Sequence, residues 1–251
     1  MKSTKSSLLL ITVASISTFL MACTSETESE LLKTNAISAD ISITSNGERA
    51  RIVAELNVGD SFGSNVNLSE GDTLRAIVNG QTIQLTKDTD ILDIDYEGRS
   101  SVVTSNSLYT IQLNRKKEAN ASASVELPLG FLVLTPEAKK TFRYDENIEI
   151  HIDGIDSASD ASLIVNYACS NNTGGLVTGS FSTQFGNSTN NTFNAKSAGL
   201  IDLEQIATSK PCEFDMEIQR VRTGHFNGEL KENSLIRGIQ SRVIKDLKFT
   251  F

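Results

Sequence analysis

From Arg49 to Val58 apolar and polar positions alternate, with Ile52, Ala54, Leu56 and Val58 on one face and Arg51, Val53, Glu55 and Asn57 on the other. A period of two belongs to a strand with one buried face. Residues 73–86 (TLRAIVNGQTIQLT) repeat the pattern on both sides of Asn79-Gly80, a dipeptide suited to a two-residue type I′ turn because both positions need positive φ. The predicted register sets Val78 against Gln81, Ala76 against Ile83 and Leu74 against Leu85, so turn chemistry and hydrophobic phase agree. Strands around Leu92, Ile94 and Tyr96, and around Tyr109, Ile111 and Leu113, complete a first predicted unit over 39–117.

At 115–124 (RKKEANASAS) the alternation gives way to charge and small residues, which places a boundary there and a second unit over 118–251. In that unit strands are predicted at Ser124–Leu127, Gly130–Leu134, Asn147–Asp153, Ala161–Cys169, Val177–Phe185, Thr192–Ala195, Cys212–Arg222 and Leu235–Phe251. Gly- and Asn-rich loops at Asn171–Gly175 and Gly186–Asn191 separate them, and Leu200–Ala207 has room for one helical turn. Strand periodicity throughout, with turn residues between, predicts an all-β chain of two consecutive β-sandwich domains.

The first 38 residues follow a different pattern. Lys2 and Lys5 precede Leu8–Leu20, an uncharged stretch that would rise only about 20 Å as a helix, short of the roughly 30 Å hydrocarbon layer. That suits a signal-peptide core better than a permanent span. Leu20-Met21-Ala22-Cys23 resembles the lipobox of bacterial lipoproteins, and the resemblance covers about the first 23 residues. It implies removal of residues 1–22, lipidation of Cys23, and a mature chain held at a membrane by its acyl chains, each buried CH₂ contributing about 0.8 kcal/mol. Thr24 after the cysteine, rather than Asp, resembles the outer-membrane destination of Gram-negative lipoproteins. Residues 23–38 are then read as the lipidated cysteine and a polar, flexible tether of roughly 20 Å mean reach.

With Cys23 acylated, Cys169 and Cys212 remain as a pair, the alternative being two free thiols. Leu163, Val165, Tyr167 and Cys169 share one strand face, and Cys212, Phe214, Met216 and Ile218 another, so both sulfurs are expected to be buried. An export destination favours a disulfide, and closing that loop stabilises by about 4 kcal/mol in the chain-entropy model. Several short strands with a cross-core bridge resemble an immunoglobulin-like sandwich in architecture. The chain departs from that family in having no Trp, and Lys210 where a tyrosine corner would place Tyr.

The formal charge is −8, and removal of residues 1–22, with two lysines and no acid, takes it to −10. Nucleic acid demands a basic face, and so does polybasic attraction to anionic lipid; neither is expected. A chain with no Trp and four Tyr lacks the aromatic girdles of a membrane barrel, although Leu247, Phe249 and Phe251 alternate as a closing barrel strand would. Sugar platforms use exposed Trp or Tyr, and only Tyr144 falls off an apolar strand face.

Three short motifs carry candidate chemistry. Gly59-Asp60-Ser61-Phe62 resembles the nucleophile block of GDS-type esterases, but that family needs a D-x-x-H block, and His225 has Arg222 at that offset; a polar turn is expected. Glu149, His151 and Asp153 lie on one face of N-I-E-I-H-I-D, about 6.5 Å between neighbours; a solvated strand face is expected, with Zn²⁺ binding the alternative if another element supplied a ligand. Asp93, Asp95 and Glu97 before Gly98 resemble half a calcium loop, yet its twelfth position is Thr104. The sequence therefore predicts no catalytic residue and no cofactor. It predicts an outer-membrane lipoprotein, a non-enzymatic binding or structural accessory with an envelope protein as partner; the competing reading is a metal-dependent binder or enzyme using Glu149, His151 and Asp153.

Overall fold

The computed structural model describes residues 26–89, 94–185 and 188–251. Cys23 and its lipobox, Asp93 of the calcium-like motif, and Gly186 and Asn187 lie outside the described residues. Ten strands come first: β1 (Glu26–Glu28), β2 (Ile37–Ser45), β3 (Ala50–Val58), β4 (Asn65–Asn67), β5 (Thr73–Val78), β6 (Gln81–Gln84), β7 (Thr86–Thr89), β8 (Ile94–Ser100), β9 (Leu108–Asn114) and β10 (Ala121–Glu126). Nine follow: β11 (Val133–Thr135), β12 (Thr141–Arg143), β13 (Asn147–Ile152), β14 (Asp160–Ser170), β15 (Leu176–Phe185), β16 (Asn190–Asn194), β17 (Cys212–Thr223), β18 (His225–Gly228) and β19 (Leu235–Thr250). The predicted all-β class holds, with two 3₁₀ turns at Ser29–Leu31 and Thr34–Ala36. Leu200–Ala207 is irregular rather than helical, and Leu200, Ile201 and Ile206 plug the second core.

One eleven-stranded sheet runs β1-β4-β3-β2-β19-β17-β14-β15, with β8 and β7 joined at β3 and β12 at β19. Two smaller sheets, β18-β10-β9-β5-β6 and β11-β13-β16, pack on it. The first encloses a core from Ile37 to Leu127 that also takes in Ile236; the second encloses a core from Phe131 to Phe249. In the second, Phe214 stacks on Phe249 at 3.8 Å between ring centroids, and Tyr144 meets Phe249 edge-on at 5.9 Å.

The Asn79-Gly80 hairpin has the predicted register, with φ of 47° and 75° at the turn and Val78 paired to Gln81 and Ala76 to Ile83. β19 shows how one strand serves two cores. It pairs in parallel with β2 over Leu235–Gln240 and antiparallel with β17 over almost its whole length. Its register with β17 is unbroken from Arg237 to Ile244, so Ile236 in the first core and Ile244 in the second project from the same sheet face. Beyond Ile244 a bulge intervenes, with Asp246 at φ 61° and its N–H donated to Asp215 Oδ1 at 2.9 Å. The bulge shifts the phase by one residue, so Leu247 and Phe249 face inward.

Three expectations are corrected. The break in alternation at 115–120 is the turn of the β9–β10 hairpin; β10 supplies Ala123 and Val125 to the first core, Leu127 just after it joins them, and Ile236 enters the same core from far along the chain. The two sandwiches are thus neither separated at 117/118 nor strictly consecutive. The second correction concerns the tether. Residues 26–38 are folded onto the first unit, with β1 parallel to β4 and Ser29 and Thr34 buried. Arg115 holds them. Its guanidinium donates to Ser29 O at 2.6 Å and Leu32 O at 3.1 Å and pairs with Asp72 Oδ2 at 2.7 Å, where Ser29 Oγ also donates.

The third concerns the disulfide. Cys169 and Cys212 are bonded, with Cα atoms 4.4 Å apart. They lie one rung beyond the Ala168–Glu213 pair of β14 and β17, so the bridge joins neighbouring strands of one sheet and does not cross the core as in an immunoglobulin domain.

The Arg115–Asp72 pair is almost fully buried, with side chains 1% and 5% exposed. Removing Arg115 leaves the buried Asp72 carboxylate without its counter-charge, with only Ser29 Oγ and Lys116 N–H donating to it. Arg115→Ala is expected to lower the urea-unfolding free energy by about 3 kcal/mol and to open residues 26–36 to limited proteolysis, whereas Lys117→Ala, at an exposed pair with Glu30, is expected to leave both readouts unchanged.

Candidate functional site

The alternation of β13 buries Ile148, Ile150 and Ile152 and leaves Glu149, His151 and Asp153 outside. The three acid and imidazole groups are not brought together. Glu149 accepts from the Thr192 hydroxyl at 3.2 Å, Asp153 accepts the Leu132 N–H, and His151 follows the register of its neighbours with its N–H donated to Thr135 Oγ1. No cluster of three metal-ligating side chains exists among the described residues.

Gly59-Asp60-Ser61-Phe62 is a turn, with Gly59 at φ 85° and Asp60 Oδ1 accepting the Phe62 N–H at 2.9 Å. His225 sits on β18 opposite Ser124. Glu97 pairs with Arg51 across β3 and β8. Tyr144 corrects the expectation of a free aromatic: it is 6% exposed, its hydroxyl donating to Ile201 O and accepting from Ile201 N, both at 3.1 Å.

What the sequence reading missed is the seam between the two cores. On the shared face of β17 and β19, apolar Ile218 and Ile236 are separated by Arg220, Arg222, Gln240 and Arg242. Arg220 and Arg242 place their guanidinium carbons 4.7 Å and 5.1 Å from the Phe131 ring centroid. Arg220 donates to the carbonyls of Leu129 and Gly154, the latter at 2.6 Å. Burial lowers the pKa of both arginines from the usual arginine value, with nearby Asp153 opposing the shift. Arg222 bridges the units, donating to Asn106 Oδ1 at 2.7 Å and Leu127 O on the first side and to both oxygens of Asp156 on the second. The signal was present in sequence: Arg220 and Arg222 continue the in-phase run Cys212, Phe214, Met216, Ile218.

Beside the seam, Leu132, Leu134 and Val243, which are 61%, 48% and 48% exposed, line an open groove of about 460 Å³ with Pro136, Ala138 and Arg242.

At the far edge of the large sheet lies a surface of a different kind. No charged residue occurs between Ala161 and Ala195, in a chain 22% charged. That run is β14, β15 and β16 with their loops. β15 pairs with β14 over ten consecutive residues without a bulge, and its other edge has no partner among the described residues. Leu176, Thr178, Ser180, Ser182 and Gln184 point to solvent, and Val177, Phe181 and Phe185 on the inner face are only half-buried. Phe181 packs on Phe193 of β16 at 5.9 Å, which sets both free edges on the same flank. Gly179 leaves room for the Tyr167 ring, which lies across β15 where a Cβ would meet it. The Asn171–Gly175 loop is held shut by Asn171 Oδ1, which accepts from the N–H groups of Thr173 and Gly175 and from the Thr173 hydroxyl.

No family model matches the sequence, and no curated protein matches it significantly. Among solved structures, the Ig1-2 module of the Drosophila receptor protein tyrosine phosphatase DLAR overlaps at 8% identity and a TM-score of 0.27, over 86% of this chain and 99% of the other. The Clostridium thermocellum CbhA fibronectin(III)-like modules overlap at 8% identity and 0.19, over 83% and 90%. Bacteroides ovatus SGBP-B, solved with a mixed-linkage heptasaccharide, overlaps at 12% identity and 0.20, over 85% and 60%. TM-scores this low do not amount to a shared arrangement, and the all-β architecture rests on this chain's own strands.

Asp156 ties the seam to pH. Burial raises its pKa, but donation from Ser159 Oγ, Leu129 N, Arg222 and Ala158 N outweighs burial and holds the carboxyl at about 2, below the ordinary 3.8. A carboxylate so depressed stabilises the fold in full above pH ~4 and loses that contribution as pH falls toward 2. The intact chain is therefore expected to lose stability across that window. Asp156→Asn is expected to cost about 3 kcal/mol at pH 7 and to fall less steeply between pH 4 and 2, as read by urea titrations at a series of pH values.

Proposed function

We propose that the chain is a bacterial lipoprotein anchored through acylated Cys23 at the outer membrane, and that its folded body is a non-enzymatic binding or structural module. One observation carries the reading: along the eight-strand path of the large sheet, β1 stands at one end and the uncharged strand β15 at the other. At strand spacing the two edges are about 34 Å apart, before twist. Only Thr24 and Ser25 separate Cys23 from β1, so an acylated Cys23 holds the first unit close to the headgroups rather than on a long leash. Glu26 and Glu30 beside that end pair with Lys87 and Lys117, which gives the end no basic excess to bind anionic lipid by itself. The lipid then supplies attachment, and the rigid body supplies presentation of the β15 flank away from the anchor to a protein partner at the envelope.

Cys23→Ser tests the anchor. The variant is expected to move from the membrane to the soluble fraction with an unchanged melting temperature, and intact mass is expected to show acyl chains on the wild-type amino terminus only. Membrane association that survives the substitution contradicts the anchor.

A further inference from the structure

The β15 edge is built to receive a strand, and we infer that the strand it receives is β15 of a second copy, antiparallel across a two-fold axis, so that two eleven-stranded sheets become one. The inference rests on the flank being the recognition surface and does not depend on the anchor.

Sheet edges left open in proteins are ordinarily blunted by Lys, Pro or a bulge, because unpaired N–H and C=O groups recruit other chains. β15 has none of these, and its ten-residue pairing with β14 keeps it straight and in register. Half-buried Val177, Phe181 and Phe185 lack a cover on that side, and the same three residues of a mate would provide one.

The choice of a second copy follows from charge. Two copies of a chain with a net charge of −8 repel over most orientations. The run from Ala161 to Ala195 brings no charge to the contact, so the repulsion is smallest where the flanks meet. A strand pairing with its own two-fold mate sets residues placed symmetrically about the axis against each other, so the uncharged edge meets only uncharged residues; polar Thr178, Ser180, Ser182 and Gln184 tolerate this, whereas a charged edge would face its own charges.

The test uses the full chain extracted from membranes in detergent, with mass measured by sedimentation equilibrium. The wild type is expected to be a dimer. Ser180→Lys combined with Ser182→Lys places like charges across the axis and is expected to weaken the dimer by about 100-fold while the far-ultraviolet circular dichroism of the β-sheet stays unchanged. Amide exchange on the wild type reads the same edge independently of any variant: outward-facing β15 amides are expected to be protected at high protein concentration and to exchange at least about 10-fold faster on dilution. A wild type that stays monomeric at about 100 μM overturns the inference, as does a dimer unaffected by the lysines or a monomer whose β15 edge crosslinks only to a different protein. In the last outcome the flank remains a recognition surface and only its partner changes; fractionation of Cys23→Ser stays a separate measurement.

Discussion

Everything in this structure depends on β19 being shared. A strand hydrogen-bonded on both edges cannot leave one neighbour without exposing the groups that bonded it. β19 gives one edge to β17 for nearly its whole length and the first part of its other edge to β2, and it contributes Ile236 to one core and Leu247 and Phe249 to the other. The two sandwiches are therefore two thickenings on one face of a single sheet. Close backbone approach reinforces the join: a Cβ at Gly238 would lie 2.7 Å from Glu126 O, so β10 passes over β19 at a point where only glycine fits.

Where the first core stops and the second begins, the sheet face still has to be filled. Apolar side chains there would fuse the cores, and water would leave a cleft. The chain uses arginine, whose long stem covers apolar surface and whose planar head finds several acceptors at once. Arg220 and Arg242 flank Phe131, and Arg222 reaches carbonyl and carboxylate groups from both sides. Burying such charge stabilises little in sum, but leaving any partner out is costly, so the seam enforces one relative setting of the two units. Arg115 does the same for the amino-terminal segment.

Much of this was legible from local pattern. Alternation located most of the longer strands, Asn79-Gly80 set its hairpin and register, and parity buried Cys169 and Cys212. Parity names a face and not a sheet, which is why a bridge within one sheet was read as one across a core. The errors share a cause. Residues 26–38 show no alternation, and their docking depends on Arg115, distant in sequence. The charged residues after Arg115 read as a linker because a hairpin turn and an interdomain linker have the same composition. Short strands such as β7, β12 and β18 are held by neighbours and carry no periodic signal of their own. The face of β13 that carries Glu149, His151 and Asp153 was read correctly as a face, but whether facing elements bring ligands to it is a tertiary fact.

If the sheet is continuous and the seam fixes the two units, the chain behaves as one cooperative body despite having two cores. Scanning calorimetry of the intact, oxidised protein tests this most directly. A single transition whose calorimetric and van't Hoff enthalpies agree is the predicted result. Two resolved transitions, one for each core, would contradict it.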